Sequence, residues 1–347
     1  MAVARDRFGG TGAAIVACRT CGVAITHPPP GATGAAPAWV ARGRIARSLA
    51  ERILRGELRP LTGALAPGAR VLDVGSGSGV RAATLVRAGY RVTAVEPDPR
   101  EADEARRRLN GGARVVEQAI EELADDVTGF DGVLMSHVLE HLADPDATLR
   151  AIRSRLHPGG TAVVMVPNAG GVEARGFRGR WHGWEPSHHR WHFTEAALRH
   201  MLIDAGYADV TVSAAGGWRY PASLAYSLAP RLDPQATPGW RGVAGRALAM
   251  ALVPVAGLEV AAGRGPQLVA TARAPGSGGE ARAGERHLDA LQMNLDARRP
   301  GFEPRPGGAS VVADPLTDAS GVDEPAPLDP SHERAVGVTG HDAVRLE

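Results

Sequence analysis

The chain of 347 residues carries 39 basic and 38 acidic side chains, a net charge of +1, which gives no electrostatic footprint for nucleic acid or an anionic membrane. Hydrophobic residues make up 44% but aromatics only 4%, so a sizeable core is possible and must be filled mostly by alanine, valine and leucine. Two cysteines exclude a disulfide framework, no apolar run reaches the ~18–20 residues of a membrane span, and no signal peptide is read, so the cytoplasm is the expected location.

Residues 1–36 are rich in Gly, Ala and Pro and read as an irregular entry segment. Residues 39–58 read as an amphipathic helix, with Val40, Ile45, Leu49 and Ile53 near one face. From there the pattern alternates. Strands are expected at 70–74, 91–96, 113–117, 130–136 and 161–167. Helices are expected at 79–88, 98–109, 144–156 and 194–205, the last capped by Thr194. Two further strands, 207–215 and 267–273, bring the total to seven. Such alternation implies an α/β fold: a Rossmann-like, doubly wound seven-stranded sheet with helices on both faces. Ligands bind at the carboxyl ends of its strands.

Two segments interrupt the alternation. Residues 168–193 form a long loop, and long loops in compact domains are usually functional. Residues 217–262 form an insertion, a lid or helical cap, with an apolar helix at 245–260 interrupted by Pro254. The bland reading of that helix is a lid or core element; dimer contact or contact with a membrane surface is the alternative. The catalytic domain is assigned to 37–274, and 275–347 are expected to be a disordered tail.

Val71-Leu72-Asp73-Val74-Gly75-Ser76-Gly77-Ser78-Gly79 follows a strand and opens a helix, where glycines permit a tight turn and close approach to a ligand. Nicotinamide and flavin folds also use such a turn. Two details differ here. The spacing is G-x-G-x-G, and Asp73 sits two residues before the first glycine. A pyrophosphate would be repelled by that carboxylate, whereas a cofactor with a sulfonium and an ammonium group would be attracted. Glu96, at the tip of the second strand, is placed to accept both ribose hydroxyls; the alternative is an exposed acid at a strand end.

With Ala94-Val95-Glu96-Pro97-Asp98, then the stretch from Phe130 to Pro145 containing Ser136-His137-Val138-Leu139-Glu140-His141, then Pro158-Gly159-Gly160 and Pro167-Asn168, the chain resembles the class I S-adenosylmethionine-dependent methyltransferases. Within them it resembles a small-molecule subgroup that includes the ubiquinone-pathway O-methyltransferases. The resemblance implies a last strand that is antiparallel and S-adenosyl-L-methionine as cofactor. It places that cofactor against Asp73, Gly75, Ser76, Gly77, Gly79, Glu96, Pro97, Ser136 and His137. The adenine position falls on Gln118, Ala119 and Ile120, where Gln118 replaces the usual Asp. The acceptor is expected to be a small molecule methylated at oxygen; the alternative is a non-catalytic protein that kept the fold for binding or scaffolding. Nucleic acid is not an expected partner, and the oligomeric state is open.

Deprotonating a hydroxyl calls for a base near its free pKa, which suits histidine. Between positions 181 and 192 stand Trp181, His182, Trp184, His188, His189, Trp191 and His192, read as the walls of a closing pocket. His189 is the first choice as general base or substrate anchor, His192 the second, with His137 a further substrate contact. Capping of the next helix and bonding of loop carbonyls are the alternative for this cluster. A metal held by His137, Glu140 and His141 would have three ligands on one turn and no fourth, and no metal is expected. Cys18 and Cys21 look like the second knuckle of a zinc ribbon carried by some relatives. The first C-x-x-C is absent, and even with His27 the ligand set is incomplete, so tight zinc binding is not expected.

Overall fold

A computed structural model describes residues 2–4, 13–18, 21–30, 44–124, 127–216, 220–233 and 239–276. Residues 277–347, nearly all of the expected tail, lie outside the described residues.

The chain begins with three short strands, β1 (Ala2–Ala4), β2 (Ala13–Ala17) and β3 (Ala24–His27). Helix α1 (Arg44–Thr62) follows, then β4 (Arg70–Val74), α2 (Val80–Arg87), β5 (Arg91–Val95), α3 (Pro99–Leu109), β6 (Arg114–Val116) and β7 (Phe130–Ser136). Next come α4 (Pro145–Arg155), β8 (Leu156–Pro167), the short α5 (Val172–Phe177), β9 (Trp191–His192), α6 (Glu195–Asp204) and β10 (Ala208–Ala215). The chain then runs through α7 (Tyr220–Leu228), α8 (Trp240–Ala251), α9 (Val253–Ala261) and β11 (Gln267–Arg273).

Seven strands form the main sheet in the order β10-β11-β8-β7-β4-β5-β6. The strands from β4 to β8 pair in parallel, whereas β11, the last in sequence, is antiparallel to both β8 and β10. Strand order reverses at β4, whose neighbours are β5 on one side and β7 on the other, so a crevice opens at its carboxyl end. The central strands are covered on both faces and read as continuous apolar runs. Val71, Leu134, Val163 and Met165 from the sheet pack with Leu58 and Leu61 of α1, Leu85 of α2 and Leu109 of α3. Local signals set the helix starts: Asp98 caps α3 by accepting from Arg100 N, Asp144 caps α4 from Ala147 N, and Thr194 caps α6 from Ala197 N.

The entry segment is not irregular where it is described. β1, β2, β3 and β9 form a second, antiparallel sheet in which Ala24 pairs with His192 and Ile25 with Trp191. Ile15 and Ala24 bury one face of it against Trp181, Trp184 and Ala174. Those tryptophans are therefore packed as a small core, not displayed as pocket walls: Trp181, Trp184 and Trp191 are all buried. The driving term is apolar burial, on the order of 2–3 kcal/mol per large side chain.

Helix α1 is described from Arg44 and continues through Pro60 to Thr62; residues 39–43 of the expected helix lie outside the described residues. Strand β8 begins at Leu156 and takes in the Pro158-Gly159-Gly160 turn. The insertion is helical. α7 and α8 meet through Ala225, Tyr226 and Ala249, and the chain bends by 44° between α8 and α9. Trp240, Val243, Met250 and Leu258 stand exposed on this pair. Among the described residues no single helix is long and apolar enough to cross a membrane.

Candidate active site

The β4 strand delivers Asp73 to the crevice and then turns sharply. Gly75, Gly77 and Gly79 all have positive φ, at 61°, 53° and 73°. At Gly75 a Cβ would lie 2.4 Å from Val138 Cγ2, so the turn after β7 presses directly against the glycine turn. At Gly79 a Cβ would meet Ala105 at 3.0 Å, so α2 packs closely on α3. Ser76 N donates to Val95 O at 3.1 Å, fixing the turn to β5.

Asp73 is buried, and its Oδ2 has no partner among the described residues; the same holds for Ser76 Oγ. Burial pushes the Asp73 carboxyl up to about 7; Arg81 opposes that rise and Glu96 adds to it. Glu96 closes the end of β5: its Oε2 accepts from Gly77 N at 2.8 Å and its Oε1 from Asp98 N at 3.0 Å. Its pKa is raised by burial. Each oxygen keeps a lone pair for a ribose hydroxyl. Pro97 is exposed beside it. At the end of β6, Gln118 is exposed and Ala119 half-buried, and Ile120 is buried at the start of a 3-10 turn. An orphaned buried carboxylate, an orphaned hydroxyl and a glycine turn with room only for backbone suit a cofactor that brings positive charge and hydroxyl donors. The donor set therefore fits S-adenosylmethionine.

The end of β7 completes the rim. Ser136 is buried, with Oγ 3.7 Å from Met165 Sδ. His137 takes a φ of 57°, uncommon for a residue with a side chain, and donates its backbone N–H to Met165 O at 2.9 Å. Its Nδ1 lies 3.2 Å from Glu140 Oε1 and its Nε2 lies 3.2 Å from Gln267 Oε1. Glu140 is fully buried. Burial alone would raise its pKa, but the His137 hydrogen bond and the fields of His141, His137 and His189 pull it down to about 2. Glu140 thus stays ionised and holds the His137 ring from behind.

His189 and His192 are placed differently from the expected open pocket. Thr26 Oγ1 donates to His189 O at 2.7 Å, so it must accept from His192 Nε2 at 2.9 Å. His189 Nδ1 donates to Gly183 O at 3.0 Å. Burial lowers the pKa to about 4 for His189 and about 3 for His192. Both are neutral members of the second layer, and such weak bases have little pull on a hydroxyl proton. Asp73, the glycine turn, Glu96, Ser136 and His137 come together at one rim; His189 and His192 stand behind it, in and beside β9.

Several residues were not singled out from sequence. Gln267 opens β11 and faces His137 only because β11 returns antiparallel beside β8. Thr26 reaches the loop across 163 positions of sequence, and no local pattern announces it. Glu173, buried in α5, accepts from Trp181 Nε1 and Ser223 Oγ, and burial pushes it up to about 7. An acid two residues after a Gly-Gly pair was the one visible hint of it.

Comparison with known proteins gives a consistent picture. Residues 43–212 match a family model described as a methyltransferase domain. The ubiquinone biosynthesis O-methyltransferase of Xanthomonas campestris pv. campestris is 41% identical over 106 residues, covering 29% of this chain and 44% of the relative. The protein of the same name from Methylocella silvestris is 38% identical over 104 residues, covering 29% and 41%. The matched stretch thus spans less than half the length of these curated relatives. Among solved structures, a methyltransferase of Thermotoga maritima described as a possible histamine N-methyltransferase aligns with 65% of this chain and 91% of its own. Its identity is 20% and its TM-score 0.43.

Proposed function

From a chain whose residues 43–212 belong to the class I S-adenosylmethionine-dependent methyltransferases, we propose an enzyme that methylates a hydroxyl of a small-molecule acceptor, with His137 as the base. S-adenosylmethionine, when bound, supplies an electrophilic methyl group on a sulfonium. Asp73 and Ser76 would hold its amino-acid portion, the turn from Gly75 to Gly79 would offer its own backbone for close approach, and Glu96 would take the ribose hydroxyls. Pro97, Gln118, Ala119 and Ile120 would line the adenine end, and Ser136 would stand at the rim beside the methionine end.

The observation that carries the reading is the His137–Glu140 pair. A carboxylate held ionised accepts the Nδ1 proton, so Nε2 keeps the lone pair and takes the proton of the acceptor hydroxyl. The ring's side chain is 28% exposed, enough to be reached from the rim. Gln267 Oε1, 3.2 Å from Nε2, is placed to accept from that nitrogen once it has taken the proton, which favours the imidazolium formed in the step. The names of the curated relatives support oxygen over nitrogen as the accepting atom. This assignment moves the base from His189 and His192 to His137, because the first two are buried, weakly basic and spent on the second sheet.

The test is His137→Gln, measured with S-adenosylhomocysteine titration and with methyl transfer to a panel of phenols and quinone precursors. Titration of wild type and variant is expected to give the same affinity, with kcat about 10²–10⁴-fold lower in the variant. A variant with full kcat would remove His137 from the chemistry. A folded wild type that does not bind S-adenosylhomocysteine would remove the enzyme reading altogether.

A further inference from the structure

The helical insertion leaves and re-enters the main sheet at the edge that carries the active site. Ala215 at the end of β10 pairs with Gln267 at the start of β11, and Gln267 pairs with Pro167 at the end of β8. Gln267 is also the residue that faces His137. The start of α5 is tied to the same corner. Asn168 N donates to Pro266 O at 2.7 Å, Asn168 Nδ2 to Gly265 O at 3.0 Å, and Gly171 N to Asn168 O at 3.0 Å. Glu173 follows in the first turn of α5, and the chain from Pro167 to it reaches at most about 20 Å.

Glu173 is 3% exposed and is held by one oxygen only. Its Oε2 accepts from Trp181 Nε1 at 3.0 Å and from Ser223 Oγ of α7 at 2.9 Å, while its Oε1 has no partner among the described residues. Helix α7 packs on both α5 and α9. From α9, Glu259 brings a second carboxylate whose Oε2 is also buried and without a partner among the described residues. Burial raises the pKa of both acids, and the Glu259 charge raises that of Glu173 further, so the two carboxylates act on each other. Neither has an ion-pair partner among the described residues. Buried acid oxygens that repel each other are costly unless a positive donor meets them. The cofactor does not use them, since Asp73 and Glu96 serve it from β4 and β5.

We propose that Glu173 and Glu259 bind a protonated amine carried by the methyl acceptor. This rests on the reading of the chain as a small-molecule methyltransferase and names the acceptor's class: a hydroxyl for His137 and, on an arm, an ammonium for the acid pair. An ammonium offers three donors, enough for both orphaned oxygens, and its charge offsets the repulsion between the acids. A hydroxyl offers one donor and no charge. Magnesium or calcium is a poorer occupant, because it asks for about six or more oxygens and Glu173 Oε2 is already turned to two donors. Glu173 belongs to the long loop and Glu259 to the insertion, so the amine would bridge rim and cap and fix the acceptor's orientation between them.

The experiment uses the full chain saturated with S-adenosylhomocysteine and titrates it with catechols by calorimetry. Each catechol carries an alkyl arm of two to eight carbons ending in a primary amine, and each is paired with its hydroxyl-ended counterpart. At the best arm length the amine is expected to bind about 10–100-fold tighter than its counterpart. Glu173→Gln should remove that preference and Glu259→Gln reduce it, with S-adenosylhomocysteine affinity unchanged in both. Glutamine keeps an acceptor for Trp181 Nε1, and melting curves check that both variants are folded. Equal affinity for amine and hydroxyl at every length, no binding of any amine, or a preference that survives either substitution would overturn the assignment. Methyl transfer to the same catechols is read separately. An amine preference without transfer would leave the amine site standing and sink the methyl-transfer reading instead.

Discussion

Asp73 shows how one residue trades stability for binding. Its carboxyl titrates near 7 in the fold against 3.8 in an unfolded chain, because burial penalises the charged form. Between those values the folded state holds more protons than the unfolded one, so ligand-free stability falls as pH rises from 3.8 through about 7. A three-unit displacement is on the order of 4 kcal/mol. Asp73→Asn is therefore expected to raise the thermal midpoint of the ligand-free protein at pH 8 and to abolish S-adenosylhomocysteine binding. Melting curves at pH 5 and pH 8 beside calorimetric titration check both halves; a variant less stable than wild type at pH 8 refutes the first. Asp73 was legible in the sequence because the acid stands at a fixed offset from the glycines, and offsets survive folding. Its unpartnered Oδ2 was not, because partnership depends on what the rest of the fold brings near.

At the scale of elements, the link between β4 and α2 works as a unit with the turn after β7. Gly75 combines a left-handed φ of 61° with a Cβ position 2.4 Å from Val138 Cγ2. Gly75→Ala is expected to cost about 1–2 kcal/mol from φ alone, plus the clash. Adding Val138→Ala should recover the clash part and leave the φ part, as read from urea midpoints. Equal loss in the single and double variants would mean that Val138 does not press on the turn. Helix starts were the most legible boundaries: the expected helices at 98–109, 144–156 and 194–205 begin where Asp98, Asp144 and Thr194 cap them, although only Thr194 is read as a cap from sequence. β9 was the least legible. Two residues have no periodicity to read, and its pairing with β3 is decided by a strand far earlier in the chain. The insertion was read as one apolar helix broken at Pro254; the structure adds α7 and places the break at Leu252.

Across the whole molecule, the second sheet joins the start of the chain to the long loop, and histidines hold the joint. His189 and His192 titrate at about 4 and 3 in the fold against 6.5 when unfolded. Their folded pKa values are depressed, so the stability they contribute is complete above 6.5 and lost as pH falls towards 4 and then 3. Thr26→Val removes the partner of both the His189 carbonyl and the His192 ring, at an expected cost of about 1–3 kcal/mol for each group left unpaired. Hydrogen exchange should show that loss in β3 and β9 and leave β4 and β7 protected; uniform loss across both sheets would refute a separate joint. By itself the sequence determined the seven-stranded α/β sheet, the glycine turn with its flanking acids and the cofactor they suit. These rest on short-range features: strand and helix periods, caps, and fixed offsets along one turn. Only the tertiary structure decided the second sheet, the burial of the tryptophans, the His137–Glu140–Gln267 contacts and the meeting of Glu173 with Ser223. Those depend on segments distant in sequence, whose contacts no local pattern encodes.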